Sequence, residues 1–274
     1  MQRITSLQNA RVAALRALKE KRERESSGLF LVEGSKMVEE ALAHAAVSCV
    51  IVEEEDENVY AGLIALCAAR AIDVLAVPHR VLAAVCDVRT PQGIAAAVAL
   101  PPHGAQDSTL AGALDAPARW VALDGVQDPG NVGTIVRTAD AAGFAGVLLG
   151  AGCADPYGAK TLRATMGSIF RVPIHAAADL AATLGTLRAR GWAVLCSELG
   201  GHSFYARGAL PPGQVLVVGS EGAGISPQVS AQATHRLALP MRGGAESLNA
   251  AVAAGIMLYE MARAAGEEES CPCL

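Results

Sequence analysis

Short apolar runs alternate with helix-forming segments along nearly the whole chain, and this alternation limits the possible folds more than any other feature of the sequence. Strands that alternate with helices are typical of α/β domains with a parallel or mixed sheet. The apolar runs predict strands over residues 29–32, 47–52, 73–77, 93–100, 120–123, 146–149, 171–174, 192–196, 214–219 and 236–239. The segments between them predict helices over residues 7–22, 35–45, 59–70, 78–86, 132–142, 159–169, 180–190, 227–231 and 247–265.

Proline and glycine interrupt this alternation once, between residues 101 and 117. The stretch contains Pro101, Pro102, Gly104, Gly112 and Pro117 and few large apolar side chains. That composition is typical of a linker between domains. We therefore predict an N-terminal α/β domain over residues 1–100, a linker over 101–117, a second α/β domain over 118–266 and a tail over 267–274.

Charge and composition exclude some classes of protein. The 274-residue chain is 52% hydrophobic with a net charge of −5, which argues against disorder and against a protein that coats nucleic acid by charge alone. Residues 1–36 are locally basic, and this run fits either an RNA-binding surface or a solvated helix face with paired charges. Its basic residues are Arg3, Arg11, Arg16, Lys19, Lys21, Arg22, Arg24 and Lys36.

The cysteines and the termini predict a cytoplasmic protein without a metal site. The seven cysteines are scattered and show no CxxC spacing, which fits buried thiols in a reducing compartment. No apolar run is long enough to span a membrane, and the N-terminus lacks a signal-peptide pattern. The final CPCL loosely matches a prenylation box, but no other feature supports an anchor, so we expect no membrane partner.

The first stretch whose residues could take part in binding or catalysis is LDGVQDPGNVGTIVRTADAAGF, residues 123–144. A predicted strand ends there in a Gly/Pro/Asp turn, and ligands of open α/β sheets collect outside the carboxyl ends of strands. The pattern predicts a helix that begins near Asn131, with Asn131 at its cap. Arg137 lies farther along this apolar helix, either as a functional cation or in an ion pair with Asp140 or Asp124.

The second and third stretches are glycine-containing loops. VLVVGSEGAGISP, residues 215–227, places glycines where backbone can approach a ligand closely, but it matches neither a dinucleotide fingerprint nor a P-loop. LPMRGGAESLNAAVAAGIMLYE, residues 239–260, predicts a loop followed by a helix from Glu246 or Ser247. The free N–H groups of that helix and the Ser247 hydroxyl would face whatever the loop encloses.

Together the three stretches resemble the motifs of the SpoU (TrmH-like) branch of the SPOUT RNA methyltransferases. The resemblance rests on NVGTIVR, GSEGAG and LPMRGGAESLN, which occur in this order, and it covers about residues 119–265. The N-terminal part resembles that family's substrate-binding domain, which is similar to ribosomal protein L30e. There the similarity lies in ITSLQNARV, in LFLVEG and in TPQGIAA at residues 90–96.

The resemblance implies a trefoil-knot α/β methyltransferase domain preceded by a smaller L30e-like α/β domain that binds RNA. Knots are otherwise nearly absent from proteins, so the expectation is demanding. The implied cofactor is S-adenosylmethionine, held bent by the knot loops, and the implied assembly is a homodimer with the cofactor helices at its interface. By motif match, Gly219, Leu239 and Leu248 would contact the cofactor, largely through backbone. The loop around Ser197 and Glu198 would also line the pocket, and the further expected cofactor contacts are Ser220, Gly222, Met241 and Ser247.

The implied reaction is methyl transfer to a ribose 2′-hydroxyl. The expected catalytic residues, again by motif match, are Asn131, Arg137, Glu221, Ser247 and Asn249. Because a guanidinium stays protonated, we expect Arg137 to hold the adjacent phosphate and to stabilise the developing alkoxide rather than to act as a base. Glu221 would orient Arg137 or the ribose, and Ser247 and Asn249 would hydrogen-bond the sugar.

One departure from the family is visible, and other functions compete. Ala250 and Ala251 stand where the family often has Val and Ser, which removes a hydroxyl but leaves the reacting positions intact. The separate N-terminal domain favours ribosomal over transfer RNA as substrate, and both remain open. A non-catalytic RNA-binding protein is a further alternative. A nicotinamide-dependent Rossmann enzyme fits the α/β pattern but lacks its fingerprint.

Overall fold

A computed structural model describes residues 1–101 and 112–265 of the chain. The predicted tail, the two cysteines in it and most of the predicted linker lie outside these residues. The chain forms two compact units. The first consists of Met1–Gly104 and Tyr157–Phe170, and the second of Ala105–Pro156 and Arg171–Leu274.

The first unit is built on a mixed five-stranded sheet. Its strands are β1 (Gln2–Arg3), β2 (Leu29–Glu33), β3 (Val47–Glu53), β4 (Asp73–Val77) and β5 (Ile94–Ala99), in the order β1-β4-β3-β5-β2. Strand β4 is parallel to β1 and β3, and β5 is antiparallel to β2 and β3. The helices are α1 (Ala10–Ala17), α2 (Lys21–Ser27), α3 (Ser35–His44), α4 (Ala61–Ala69) and α5 (His79–Val85).

One further helix, α7 (Ala159–Thr165), belongs to the first unit although residues on both sides of Tyr157–Phe170 belong to the second. Aromatic contacts hold this segment, since the Phe30 ring centroid lies 5.0 Å from that of Tyr157 and 6.1 Å from that of Phe170. The predicted domain of residues 118–266 had included this segment. Its aromatic residues find their apolar partners on β2 instead.

The second unit contains a six-stranded sheet in which every pair is parallel. Its strands are β6 (Arg119–Asp124), β7 (Gly146–Leu149), β8 (Ile174–Ala176), β9 (Ala193–Ser203), β10 (Gln214–Gly219) and β11 (His235–Ala238), in the order β11-β9-β10-β6-β7-β8. The helices are α6 (Pro129–Ala141), α8 (Leu180–Ala189), α9 (Pro227–Ser230) and α10 (Ala250–Ala264). The predicted α/β class with a parallel sheet is confirmed.

Strand β10 shows why a parallel sheet forms here. Its Val215–Val218 side chains are buried on both faces, as expected for strands that helices cover on both sides. One face packs under α6 and α10, whose inner residues Ile135, Val136, Ala254 and Leu258 are fully buried. These helices approach closely, since a Cβ added at Gly255 would lie 3.6 Å from Thr138 Cγ2.

Several predicted boundaries differ from the structure. Residues 7–22 form two helices because Glu20 is extended at the start of α2. Strand β8 begins at Ile174 rather than at 171, after a 3₁₀ turn over Ser168–Phe170 and Pro173. Strand β9 runs to Ser203, well past the predicted end at 196. The described cysteines carry free thiols, and none of the described helices is long and apolar enough to cross a membrane.

Candidate active site

The first motif loop joins β6 to α6 at the carboxyl edge of the sheet. Asp128 is the N-cap residue of α6, its Oδ1 accepting a 2.8 Å hydrogen bond from the Asn131 N–H, and Pro129 occupies the first turn. Both residue types are favoured at these positions. The prediction that Asn131 caps the helix is therefore wrong, because Asp128 takes that role. Asn131 lies in the first helical turn, and its side chain is free to reach the neighbouring loops.

The second motif loop is folded tightly at the end of β10. Ser220 and Gly224 exchange two backbone hydrogen bonds of 3.1 and 3.0 Å. Gly219 needs its missing side chain, because a Cβ there would lie 2.2 Å from the Gly224 carbonyl carbon. Gly222 lies at the exposed tip, with open space around it. The loop is joined to the first one by a 2.7 Å hydrogen bond from the Ser226 N–H to Asp124 Oδ2.

The third motif loop leads from β11 to α10. The helix begins at Ala250 and not at Glu246 or Ser247, because Asn249 is its N-cap and accepts hydrogen bonds from the N–H groups of Ala251 and Val252. Residues 241–248 are exposed, and across the described chain no hydrogen bond to their backbone or side chains is formed. Donors and acceptors of this loop therefore remain available to a ligand.

A chain of side-chain hydrogen bonds brings the three loops together. Asn249 donates from Nδ2 to Asn131 Oδ1 over 3.0 Å, and Asn131 donates from its own Nδ2 to Glu221 Oε1. Each motif contributes one residue, although the outer two are separated from Asn131 by 118 and 90 positions in sequence. Asn131 is thus the hub that fixes the helix α10 N-terminus and the Glu221 loop against α6.

Arg137 projects from α6 as an exposed cation. Within the described residues its guanidinium forms neither a hydrogen bond nor an ion pair. The two carboxylates that could have neutralised it are engaged elsewhere, since Asp140 binds Arg171 at 2.8 and 2.9 Å and Asp124 accepts the Ser226 N–H. The alternative of a structural ion pair is therefore excluded for both partners. Glu221 contacts Asn131 rather than Arg137, so no contact orients Arg137 through Glu221.

Ser197 and Glu198 lie in a fourth loop, within β9. Strand β11 pairs with β9 at Cys196 and again at His202, so residues 197–201 bulge out of the ladder. Glu198 Oε2 pairs with Arg236 Nε at 3.3 Å, whereas its Oε1 is buried without a hydrogen-bond partner in the described structure. Burial, followed by the Glu198 charge, raises the pKa of the Cys196 thiol to about 12, so this cysteine stays protonated.

The remaining expected cofactor residues surround the same edge of the sheet. Leu239 is half-buried against the core below the third loop, while Met241 and Leu248 each expose 38% of their surface. Ser247 is exposed on the loop itself and Ser220 lies in the second loop. Asp128, Asp124 and Arg236 were missed as supports of the site. Only Asp128 carries a sequence signal, since an Asp directly before a Pro is a helix-start pattern.

Comparison with known proteins identifies the family. The family model described as the SpoU rRNA methylase family matches residues 118–259, and that of an MRM3-like substrate binding domain matches residues 9–96. The chain belongs to the SpoU rRNA methylase family. The resemblance seen in the three motifs is thereby confirmed, as is a substrate-binding domain at the N-terminal end of this SpoU methylase.

Relatives of this SpoU methylase match nearly its full length. The 23S rRNA (guanosine(2553)-2′-O)-methyltransferase RlmP of Bacillus subtilis is 35% identical over 261 residues, covering 95% of this chain and 99% of RlmP. An AdoMet-bound rRNA methyltransferase from Sinorhizobium meliloti is 32% identical with a TM-score of 0.83, covering 98% of this chain and 99% of that one. AviRb from Streptomyces viridochromogenes, a SpoU methyltransferase in complex with AdoMet, is 26% identical with a TM-score of 0.81, covering 94% and 100%.

The residues at this edge fit the chemistry of S-adenosylmethionine. That cofactor combines an apolar adenine face with hydroxyl, amino and carboxylate groups around a sulfonium cation. The site offers the exposed apolar side chains of Met241 and Leu248 and, over residues 241–248, loop backbone that forms no hydrogen bond within the described chain. The close packing at Gly219 fixes the shape of the second loop, and its exposed tip at Gly222 has open space around it.

Proposed function

We propose that this SpoU methylase transfers the methyl group of S-adenosylmethionine to a ribose 2′-hydroxyl in ribosomal RNA. The observation that carries the proposal is the hydrogen-bonded chain Asn249–Asn131–Glu221, which joins the three motif loops at the N-terminal ends of α6 and α10. RlmP, by its name, methylates a guanosine 2′-oxygen in 23S rRNA, and the similar Sinorhizobium meliloti protein is named an rRNA methyltransferase.

In this reaction the protein positions the ribose 2′-hydroxyl and stabilises the negative charge that develops on its oxygen. Bound S-adenosylmethionine supplies the electrophilic methyl group. Arg137 binds the phosphate next to the target ribose and stabilises negative charge that develops on the 2′-oxygen, as its unpaired guanidinium allows. Holding the hydroxyl and the methyl group in line removes much of the entropic barrier. The Asn131 hub preserves this alignment, while the exposed Ser247 and Asn249 contact the sugar.

Cofactor binding falls to the surrounding loops in this proposal. Backbone groups of Gly219, Ser220, Gly222 and Leu239 and the loop that carries Met241, Ser247 and Leu248 enclose the cofactor. Ser197 and Glu198 close the pocket from the β9 side, where residues 197–201 have no ladder partner on β11. The proposal includes the trefoil knot that the family resemblance implies, with the chain threaded near β9 and β11. A solved structure whose chain runs unthreaded there would refute the knot.

The proposed assembly is a homodimer through α10. Val252, Ile256 and Tyr259 follow one another at helical spacing and expose 52%, 38% and 55% of their surface, so an apolar stripe lies on the outer face of the helix. A second copy of the chain would cover this stripe. Light scattering of Val252→Asp should report a monomer if the stripe is the interface, and a persisting dimer would place the interface elsewhere. We propose the cytoplasm as the compartment, since the described thiols are free.

The decisive experiment combines methyl labelling with site mapping. Purified protein should bind S-adenosylmethionine and transfer radiolabelled methyl to ribosomal RNA that lacks the modification. A 2′-deoxy target nucleotide should abolish transfer. Label in transfer RNA alone would replace ribosomal RNA as the substrate, label on a base would refute ribose methylation, and salt-dependent RNA binding without cofactor affinity would indicate a non-catalytic binding protein.

A further inference from the structure

A clamp centred on Arg207 lies outside the three motifs and outside the reacting groups. Arg207 follows a 3₁₀ turn over Phe204–Ala206, directly after β9, and only 5% of its side chain is exposed. Burying a guanidinium costs free energy unless its N–H donors form hydrogen bonds, so we expect Arg207 to have acceptors within the protein. None of the motif matches includes this residue.

The Arg207 guanidinium joins two distant segments of the second unit. It donates from Nη1 to the Phe204 carbonyl oxygen at 2.8 Å and from Nη2 to the Glu260 carbonyl oxygen at 3.2 Å. Its Nη1 lies 3.6 Å from Glu260 Oε1, and its Cζ lies 4.4 Å from the centre of the Phe204 ring. Phe204 is fully buried in the core beneath α10. The chain just after β9 is thereby fastened to the C-terminal half of α10.

This fastening fixes one end of the loop that carries Ser197 and Glu198. Residues 197–201 have no ladder partner on β11, whose pairing passes from Cys196 directly to His202. The near end of the bulge is held within the sheet, where Cys196 pairs with both β10 and β11. At the far end, His202 and Ser203 pair with the four-residue edge strand β11. Phe204 and Arg207 then hold the chain that follows. Leu199, in the middle of the bulge, exposes 80% of its surface.

We propose that Arg207 is a positioning residue for the cofactor, which sets the conformation of the 197–201 bulge relative to α10 and its capping residue Asn249. The inference rests on the proposed function, because it takes this bulge as one wall of the S-adenosylmethionine pocket. Arg207 touches neither the cofactor nor RNA. The planar guanidinium donates from two separate nitrogens to the carbonyl oxygens of Phe204 and Glu260. A lysine ammonium has a single nitrogen and could not bind both oxygens with the same geometry.

The test compares Arg207→Met with Arg263→Met. Methionine keeps the apolar contact with Phe204 and removes the donors, so the variant should fold. Arg263 is the matched control, because it binds the same Glu260 carboxylate at 2.8 and 2.9 Å but exposes 60% of its side chain. Glu260→Gln leaves both carbonyl contacts of Arg207 in place and should show an intermediate effect.

Three measurements distinguish a positioning role of Arg207 from a contribution to fold stability alone. Calorimetry should show that Arg207→Met weakens S-adenosylmethionine binding about tenfold, with KM for the cofactor raised to match and kcat at saturation within about twofold of wild type. Hydrogen exchange of the unliganded protein should be faster over residues 197–203 and unchanged in β6 and β10. Arg207→Lys should recover part of the affinity, and Arg263→Met should resemble wild type.

Each other outcome overturns the inference. A folded Arg207→Met variant with wild-type cofactor affinity would refute the positioning role, while leaving the proposed function intact. A lower melting temperature with faster exchange throughout the unit and unchanged cofactor KM would make Arg207 a structural residue only. If wild-type protein itself shows no affinity for S-adenosylmethionine, the proposed function fails and this inference fails with it.

Discussion

The two units use the same kind of sheet edge in different ways. In the first unit, charged groups at the ends of parallel strands are paired, since Glu53 at the end of β3 binds His79 at 3.0 Å and Arg3 binds Glu57 at 3.0 Å. In the second, the Arg137 guanidinium on α6 and residues 241–248 in the loop before α10 form no hydrogen bond or ion pair within the described chain. Exposed polar groups without a protein partner therefore distinguish these motif segments of the second unit from the two ion-paired strand ends of the first.

The largest expected effect on this difference between the units comes from removing the Arg137 guanidinium. Arg137→Ala should lower kcat about a hundredfold or more, the size expected when one stabilising group for a developing oxyanion is lost. Cofactor affinity and melting temperature should stay near wild type, because the exposed Arg137 guanidinium forms no hydrogen bond or ion pair within the described protein. Single-turnover methyl transfer and calorimetry measure both quantities. Arg188→Ala, an exposed arginine on α8, is the control, and equal loss of turnover and cofactor affinity would give Arg137 a structural role.

A second prediction separates two glycines of the same loop. Gly219→Ala would press a methyl group into the Gly224 backbone, so the loop must open, at a cost of about 1–3 kcal/mol. We expect cofactor affinity to fall about tenfold or more. Gly222→Ala meets open space and should bind as wild type does. If calorimetry shows equal effects for both variants, close packing at Gly219 is not what shapes the pocket.

A third prediction divides the two tasks of Asn249. Asn249→Ala removes the cap of α10 and should lower the free energy of unfolding by about 1 kcal/mol. Asn249→Asp keeps the capping acceptor but loses the Nδ2 donor to Asn131, so it should retain stability and lose turnover. Denaturant titration and initial rates test the pair. Full activity in Asn249→Asp would show that the link to Asn131 has no catalytic value.

The smallest effect concerns one buried thiol in each unit. Burial raises the pKa of Cys86 and of Cys196 to about 12, whereas their ordinary value is 9.0. Above pH 9 the unfolded thiols lose their protons before the folded ones do, so the unfolded state is favoured as pH rises toward 12. Each thiol should contribute a loss of about 1.4 kcal/mol per pH unit at most. Single Cys→Ala variants should therefore show a shallower decline of stability with alkaline pH, and an unchanged slope would contradict the assigned burial.

Sequence patterns predicted most of the elements but missed those that depend on distant partners. Strand β1 has only two residues, Gln2 and Arg3, and forms by pairing with Leu75 and Ala76 of β4. So short a segment has no periodicity to detect. The Tyr157–Phe170 segment carries a clear helical pattern, but its membership in the first unit depends on Phe30, more than a hundred residues earlier.

The sequence by itself determined the α/β class, the order of the elements, the family and the residues of the motifs, because these depend on local periodicity and on residue types at fixed spacing. Tertiary structure decided which of those residues meet. Only folding places Asn131 between Glu221 and Asn249 and fastens the chain after β9 to α10 through Arg207. Folding also leaves the Arg137 guanidinium without a partner among the described residues, while Asp140 and Asp124 bind elsewhere. Such contacts follow from strand order and helix packing across the sheet, which no short stretch of sequence encodes.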